Sequence, residues 1–397
     1  MIVLDDVRAE GNATERNMVV LFGAGLIGSA VRDALIERGG FTVTRLPFTW
    51  GQTITVDQEV QRISAFLIRS LTADSGSLSG TNGRISQRTL RFFWSAGKAG
   101  FAANDAQTES ELLDFRRVLN LAEDLAGRLP DVKTAFYLVS SAGGLFEGQQ
   151  QVGNDAIPIP RRPYGRLKLT QEQMLGAAAK DIAKFIYRPS SVYGDIEPGV
   201  RLGLIPTLIA DGVSRSVSTI FGDLSTLRDY VMARAIGYFL AEVLMRPADA
   251  ADAAVAFLAA AKPSSIYEVK IIIERIIGRK LYLTFEAHSN ALDNSFQKRA
   301  LSRRLESDEL GSRHQACIRS MVRGRHSKPS RSRVWFGSLL NGEPDSGPCS
   351  QVPGQRCAAH EKVKSETFRQ GSVDRNLLRG GLLAWLEINH GSGFRLV

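Results

Sequence analysis

Cysteine is nearly missing from the 397-residue chain, and the three present, Cys317, Cys349 and Cys357, all lie near one end. Their spacing fits neither a zinc pattern nor a CxxC redox pair. Histidine is almost as scarce: four of the five follow residue 302, and His288, the one in the body, has no partner motif around it and reads as structural or exposed. No run of about 18 apolar residues occurs, which argues against a membrane span. The opening stretch, MIVLDDVRAEGNATERN, has early acids and no apolar h-region. It does not read as a signal peptide, so a cytoplasmic location is expected. No internal repeat is evident.

What is present is ordinary for a globular protein: 44% hydrophobic and 23% charged residues, in a chain long enough to bury a large core. The net charge of +9 invites a nucleic-acid reading, but its distribution argues against one. Residues 303–397 hold 13 Arg and 3 Lys against 9 acids, a net of +7, which leaves +2 for the first 302. The basic character belongs to the tail rather than the body.

Along the body, strand-like and helix-like stretches alternate. MVVLFG (18–23) suits a buried parallel strand, and SAVRDALIER (29–38) a helix stopped by Gly39-Gly40. FTVTRL (41–46) reads as a strand, 55–70 as a helix, 72–83 as a polar loop and 90–97 as a strand. A long helix follows over 109–129, a strand running into a small-residue loop over 133–144, a helix over 164–179, and a strand plus turn over 184–194. This order predicts α/β architecture with a doubly wound parallel sheet. From about residue 200 the alternation loosens. Residues 228–245 read as a helix or strand–helix, and 264–285 as strand, helix, strand. The division expected is a dinucleotide-binding domain over 1–194, a smaller C-terminal substrate lobe over 195–302, and a basic tail over 303–397.

Gly23-Ala24-Gly25-Leu26-Ile27-Gly28 lies between a strand and a helix. In that place the first glycine permits the tight turn, the second lets backbone approach a pyrophosphate, and the third lets helix pack on strand. The helix N-terminus then offers free N–H groups to phosphates. The context makes this a Rossmann site for NAD or NADP. An acid usually ends the second strand to hold the ribose hydroxyls; here the strand runs Thr44-Arg45-Leu46 without one. Arg45 is either a partner for the 2′-phosphate of NADP or a solvated strand end.

Tyr164 and Lys168, at i and i+4, share one helix face. A nearby ammonium favours the phenolate, lowering a tyrosine from about 10 toward neutrality and making it a usable general acid or base. Upstream, Ser140 and Ser141 end an apolar strand, where ligands bind in a parallel sheet. Ser141 is expected to hydrogen-bond the same reacting oxygen as Tyr164; the plainer reading is that both serines cap the turn.

Taken in order, the glycine turn, the strand-end serines, YxxxK and RPSSVYG (188–194) resemble the extended short-chain dehydrogenase/reductases, the NAD-dependent epimerase/dehydratase family, over roughly residues 18–300. Within the likeness, Phe146 stands where the family often has tyrosine. Ala96-Gly97 sits where the fourth strand meets the cofactor, and Arg228 is similar to an arginine that contacts a nucleotide-sugar diphosphate. The resemblance implies chemistry on nucleoside-diphosphate sugars. Tyr164 would take the hydroxyl proton while hydride passes to the nicotinamide, Ser141 would orient that oxygen, and Lys168 would bind the cofactor ribose. An epimerase returns the hydride to the other face of a keto intermediate. A keto-sugar reductase remains open beside it. Dehydration is disfavoured, because Ala142-Gly143 occupy the place of the usual acid pair. The family also pairs subunits through two long helices, a role open to helices 109–129 and 164–179.

Two rivals come from other classes. A dinucleotide sensor without activity tends to lose the Tyr or the Lys, and this chain retains both. A nucleic-acid binder would use RSMVRGRHSKPSRSR (319–333), yet basic runs are more often solvated. The tail itself has another explanation. The family usually ends shortly after a segment resembling DDWNPMSL. Back-translating Arg303–Ser312 as CGA CGA CTG GAA TCC GAT GAG CTT GGA TCA and reading one base on gives DDWNPMSLD. The expectation is a one-base frameshift at Ser302–Arg303, with residues 303–397 out of frame, without selected function and largely disordered. A genuine lineage-specific extension is the alternative.

Overall fold

The computed structural model describes residues 1–10, 13–51, 53–73, 85–101, 103–194, 203–246, 255–286 and 292–298, all within one compact unit. The tail from residue 299, residues 74–84, on which most of the loop expected at 72–83 falls, and His288 lie outside the described residues.

The centre is a seven-stranded sheet ordered β10-β6-β5-β4-β2-β1-β3. Its strands are β1 (Ile2–Glu10), β2 (Ala13–Phe22), β3 (Phe41–Arg45), β4 (Ile85–Trp94), β5 (Val132–Val139), β6 (Ile182–Pro189) and β10 (Val255–Leu258). From β2 to β10 the pairs are parallel. Met18–Phe22 are fully buried, as a strand covered on both faces requires. Helices α1 (Leu26–Arg38) and α7 (Ala233–Met245) cover one face, with Val31, Leu35, Phe239 and Leu240 against Val19, Leu21 and Tyr137. Helices α2 (Thr53–Thr72), α3 (Asp105–Arg128) and α5 (Pro163–Ala177) cover the other, with Ile63, Leu67, Phe115 and Leu175 against Val20, Phe92 and Phe136. The sheet is doubly wound, as expected.

The sequence reading has no strand ahead of 18–23 and gives 41–46 as the next one along the chain. The structure inserts β1 between them, antiparallel to both, with Ile2 opposite Leu21 on one side and Arg45 on the other. Two acids early in β1 hide its strand character. Asp5 is balanced by the guanidinium of Arg16 across the hairpin, at 2.5 and 3.0 Å.

Helix limits follow local chemistry. Asn104 and Gln107 form a reciprocal capping box that starts α3, Pro163 occupies the first turn of α5, and α1 ends at Gly39, whose φ is +78°. Beyond the large sheet a second core gathers Tyr193, Leu208, Ile209, Tyr230, Val269 and Ile273. It involves α6 (Leu204–Ser214) and α8 (Ile266–Ile277) with β7 (Ser191–Tyr193), β8 (Val217–Phe221), β9 (Leu227–Met232), β11 (Pro263–Ser265) and β12 (Tyr282–Glu286). The strand–helix reading of 228–245 resolves into β9 and α7. Between β9 and β11, the chain re-enters the large sheet to supply α7 and β10. No helix among the described residues is long and apolar enough to cross a membrane.

Candidate functional site

The glycine turn joins β2 to α1 at the carboxyl end of the parallel strands. Gly23 has φ +101°, and a Cβ there would lie 2.5 Å from the Ala96 nitrogen; only glycine lets this turn pass under the strand end of β4. A Cβ on Gly28 would sit 2.0 Å from the Gly23 carbonyl oxygen and 2.5 Å from Ser95 Oγ, so the third glycine is what allows α1 to close against the turn. Gly25 differs: it caps α1, and a Cβ there meets nothing within 4 Å. No side chain caps the helix, and no acid lies in its first turn. The residues therefore fit a dinucleotide, with a tight turn, an open approach at Gly25 and unblocked helix N–H groups. Ala96 is buried just past the end of β4, against the Gly23 turn. Arg45 is exposed at the end of β3, two strands away from β2 because β1 intervenes.

Across the site, β5 ends at Ser140 and Ser141. Ser141 Oγ accepts a hydrogen bond from the Gly144 amide at 3.1 Å and caps the single-turn helix α4 (Ala142–Leu145). The hydroxyl proton remains available to a second acceptor. Ser140 Oγ is buried with no partner among the described residues. Helix α5 presents Tyr164 and Lys168 on one side. The Tyr164 ring passes over Gly144, where a Cβ would lie 3.0 Å from two ring carbons, and a Cβ on Gly165 would lie 2.3 Å from the Gly144 carbonyl oxygen. These two glycines let α5 seat Tyr164 beside the serine loop. Phe101 packs on the tyrosine with ring centroids 5.5 Å apart, and the Lys168 ammonium lies 5.7 Å from the tyrosine ring centroid.

Lys168 is 5% exposed and donates to Glu111 Oε1 at 3.1 Å and Gln171 Oε1 at 3.0 Å. Burial alone would push its ammonium down; the Glu111 carboxylate, and then Tyr164, hold it above the usual lysine range. Glu111 Oε2 accepts from the Ala99 amide at 3.1 Å, and a Cβ on Gly97 would come within 2.6 Å of the same carboxylate. Arg228, on β9, donates to the Leu292 carbonyl at 2.7 Å. Burial lowers its guanidinium below the usual value, with Tyr230 and Glu147 opposing. Glu147 is itself buried and paired with Arg162 at 2.9 Å. In the RPSSVYG segment, Arg188 is structural: it forms a forked pair with Glu172 at 2.6 and 2.9 Å and lies over the rings of Phe146 and Phe257.

Sequence reasoning names the glycines, Ser141, Tyr164 and Lys168, and the structure sets Ser141 and Tyr164 around one loop with Lys168 beside the tyrosine ring. It misses Glu111, Phe101 and the Glu147–Arg162 pair. Glu111 does carry a signal, as an acid on the helix stripe that continues through Phe115, Val118 and Ala122.

Fold and site together define a Rossmann-type dinucleotide-binding protein with a tyrosine–lysine pair at the strand ends. The family model described as "NAD dependent epimerase/dehydratase family" matches residues 18–260. The chain belongs to that family and is an enzyme of the extended short-chain dehydrogenase type. Among solved structures it is similar to the UDP-glucose 4-epimerase of Thermotoga maritima with UDP-glucose: 19% identity, 74% of this chain and 92% of that one, TM-score 0.55. It is similar to the Thermus thermophilus UDP-glucose 4-epimerase in complex with NAD, at 17% identity over 75% and 92% of the two chains, TM-score 0.54. A third is the Bacillus cereus UDP-glucuronic acid 4-epimerase with UDP-glucuronic acid and NAD, at 18% identity over 70% and 90%, TM-score 0.52. At these identities the likeness is one of fold. No curated protein matches the sequence.

Proposed function

We propose that this enzyme is a nucleotide-sugar epimerase, acting at a sugar carbinol carbon through a keto intermediate. The observation that supports the reading is the seating of Tyr164 against the Ser141 loop with Lys168 beside it on the same side of α5, in a chain whose glycine turn is open at Gly25. When bound, NAD or NADP supplies a reversible hydride acceptor. Gly23, Gly25, Gly28 and Ala96 would hold its pyrophosphate half and Lys168 its ribose, and Arg45 is the candidate contact for a 2′-phosphate. Tyr164 takes the proton from the sugar hydroxyl and later returns it, while Ser141 holds the oxygen in line. Arg228 is the candidate ligand for the diphosphate of a UDP-sugar-like substrate. Pairing of two copies through α3 and α5 belongs to the same reading, with Leu113 of α3 half exposed.

The test is incubation of the full chain, and of a chain ending near residue 300, with UDP-glucose, UDP-galactose and their N-acetyl forms, with and without added NAD(H) or NADP(H). Interconversion of epimers without net cofactor turnover is expected. Tyr164→Phe should lower the rate by about 100-fold or more, the usual weight of a general acid–base group. Stoichiometric NADPH oxidation with a keto-sugar and no epimer exchange would replace the epimerase by a reductase. Dinucleotide binding with no turnover of any sugar would replace it by a sensor.

A further inference from the structure

We propose that Glu111 is a positioning residue: its carboxylate fixes where Lys168 points, keeps it charged, and ties it to the loop that follows β4. Three elements meet at this side chain. It projects from α3; one oxygen receives the Lys168 ammonium of α5 at 3.1 Å, and the other receives the Ala99 amide of the 95–100 loop at 3.1 Å. Gln171 closes the group, accepting from Lys168 at 3.0 Å and donating to Glu111 at 3.4 Å. Glu111 is 8% exposed and Lys168 5%, so water contributes little to either charge.

An ammonium this deeply buried loses its hydration, and a lysine so placed ordinarily gives up its proton well below its usual range. Here the nearest countercharge is one fixed carboxylate. The other groups facing Lys168 are Tyr164 and Glu172 on its own helix, and Glu172 is already committed to Arg188 of β6 at 2.6 Å. On α3, Asp114 faces Arg117 at 3.1 Å and the Gly51 amide at 3.0 Å. That leaves Glu111 as the carboxylate hydrogen-bonded to the ammonium among the described residues. The absence of a side chain at Gly97 is part of the same arrangement, since a Cβ there would lie 2.6–2.8 Å from the carboxylate atoms. A glycine in the loop therefore gives the carboxylate its room, and the carboxylate gives the lysine its place. The loop at Ala96–Ala99 and the helix bearing Tyr164 thus share one anchor, so a change in the loop is felt at Lys168.

The inference takes Tyr164 and Lys168 as the working pair of the proposed epimerase. Its test reads Lys168 directly, without substrate, so a failure of epimerisation and a failure of the Glu111 role are separately visible. Lysine carrying an isotope label at Cε is incorporated into the full chain. The Lys168 resonance is assigned by its loss in Lys168→Met and followed through a pH titration by NMR. Wild type should titrate above the usual lysine range. Glu111→Gln keeps the shape and the acceptor for Ala99 but removes the charge, and should lower the Lys168 midpoint by at least about two pH units, as expected for a unit charge lost at hydrogen-bond distance. Glu123→Gln is the control on the same helix: that carboxylate also receives a backbone amide, from Ala179 at 2.8 Å, but it has no contact with Lys168, and the midpoint should stay unchanged. Should Glu111→Gln not fold, Gly97→Ala displaces the same carboxylate from the loop side and should move Lys168 downward as well. A Lys168 midpoint that stays within about half a unit of wild type in the folded variant, or that moves equally in the Glu123 control, overturns the proposal.

Discussion

The three glycines of the turn look alike in the sequence, but in space they do different work. Gly23 and Gly28 are held by collisions that a methyl group would create inside the protein, whereas Gly25 faces open space. A substitution pair separates folding from binding on this basis. Gly28→Ala should destabilise the fold by about 1–3 kcal/mol, as overpacking does, seen as a lowered urea midpoint. Gly25→Ala should leave that midpoint within about 0.5–1 kcal/mol, yet weaken NADH binding roughly tenfold or more by fluorescence titration, because its methyl enters the pyrophosphate approach. Equal effects of both variants on folding would refute the distinction. At this scale the sequence is informative where chemistry depends on spacing, as for Tyr164 and Lys168. It is silent where chemistry depends on burial: Arg45 is visible as a charge, but the strand that separates it from β2 is not visible in its neighbourhood.

Among the elements, α1 and α7 make a close crossing. A Cβ on Gly237 would lie 2.5 Å from the Ala30 carbonyl oxygen, so the two helices touch almost backbone to backbone. Beneath them Arg91 of β4 is 2% exposed, donating to Asn17 Oδ1 at 2.8 Å and to the Arg246 carbonyl past the end of α7 at 2.9 Å. Burial lowers its guanidinium below the usual value, partly offset by Tyr137. Arg91→Ala strands these acceptors and opens a cavity, and should cost about 3 kcal/mol or more in a denaturant titration. A loss under about 1 kcal/mol would mean that water replaces the arginine freely. Most helices and parallel strands are legible from apolar periodicity and glycine stops, because they carry their burial pattern locally. β1 is not, since Asp5 and Asp6 break its alternation and the partner of Asp5, Arg16, comes from the next strand. The two residues between β1 and β2, Gly11-Asn12, are nonetheless a hairpin signal that composition alone obscures.

For the whole molecule, the short segment 292–298 does more than its length suggests. Asp293 accepts from the Leu227 amide at 2.8 Å, Leu292 accepts from Arg228, and Asn294 donates to the Phe146 carbonyl at 2.7 Å. Phe296 then packs on Phe257 and bridges to Val152. The segment therefore binds β9 to the loop beyond the serine turn. A chain ending near residue 300 should unfold at the same temperature as the full chain, in keeping with the proposal that 303–397 carries no selected function. A chain ending at residue 290 should lose about 3–5 kcal/mol, the weight of removing a buried phenylalanine and its hydrogen-bonded neighbours. If the cut at 300 proves as damaging as the cut at 290, the proposal about the tail falls.

The antiparallel first strand also bears on how the chain assembles. In a purely parallel sheet the glycine-turn strand finds each neighbour only after a crossover helix has formed, which is slow because distant segments must meet first. Here β1 and β2 adjoin in sequence and pair along their whole length, from Ile2–Leu21 to Glu10–Ala13. Such a hairpin closes on a timescale of about 1–10 μs. The strand that carries the dinucleotide turn thus has a partner, and a register, within its own stretch of sequence, independent of any crossover helix.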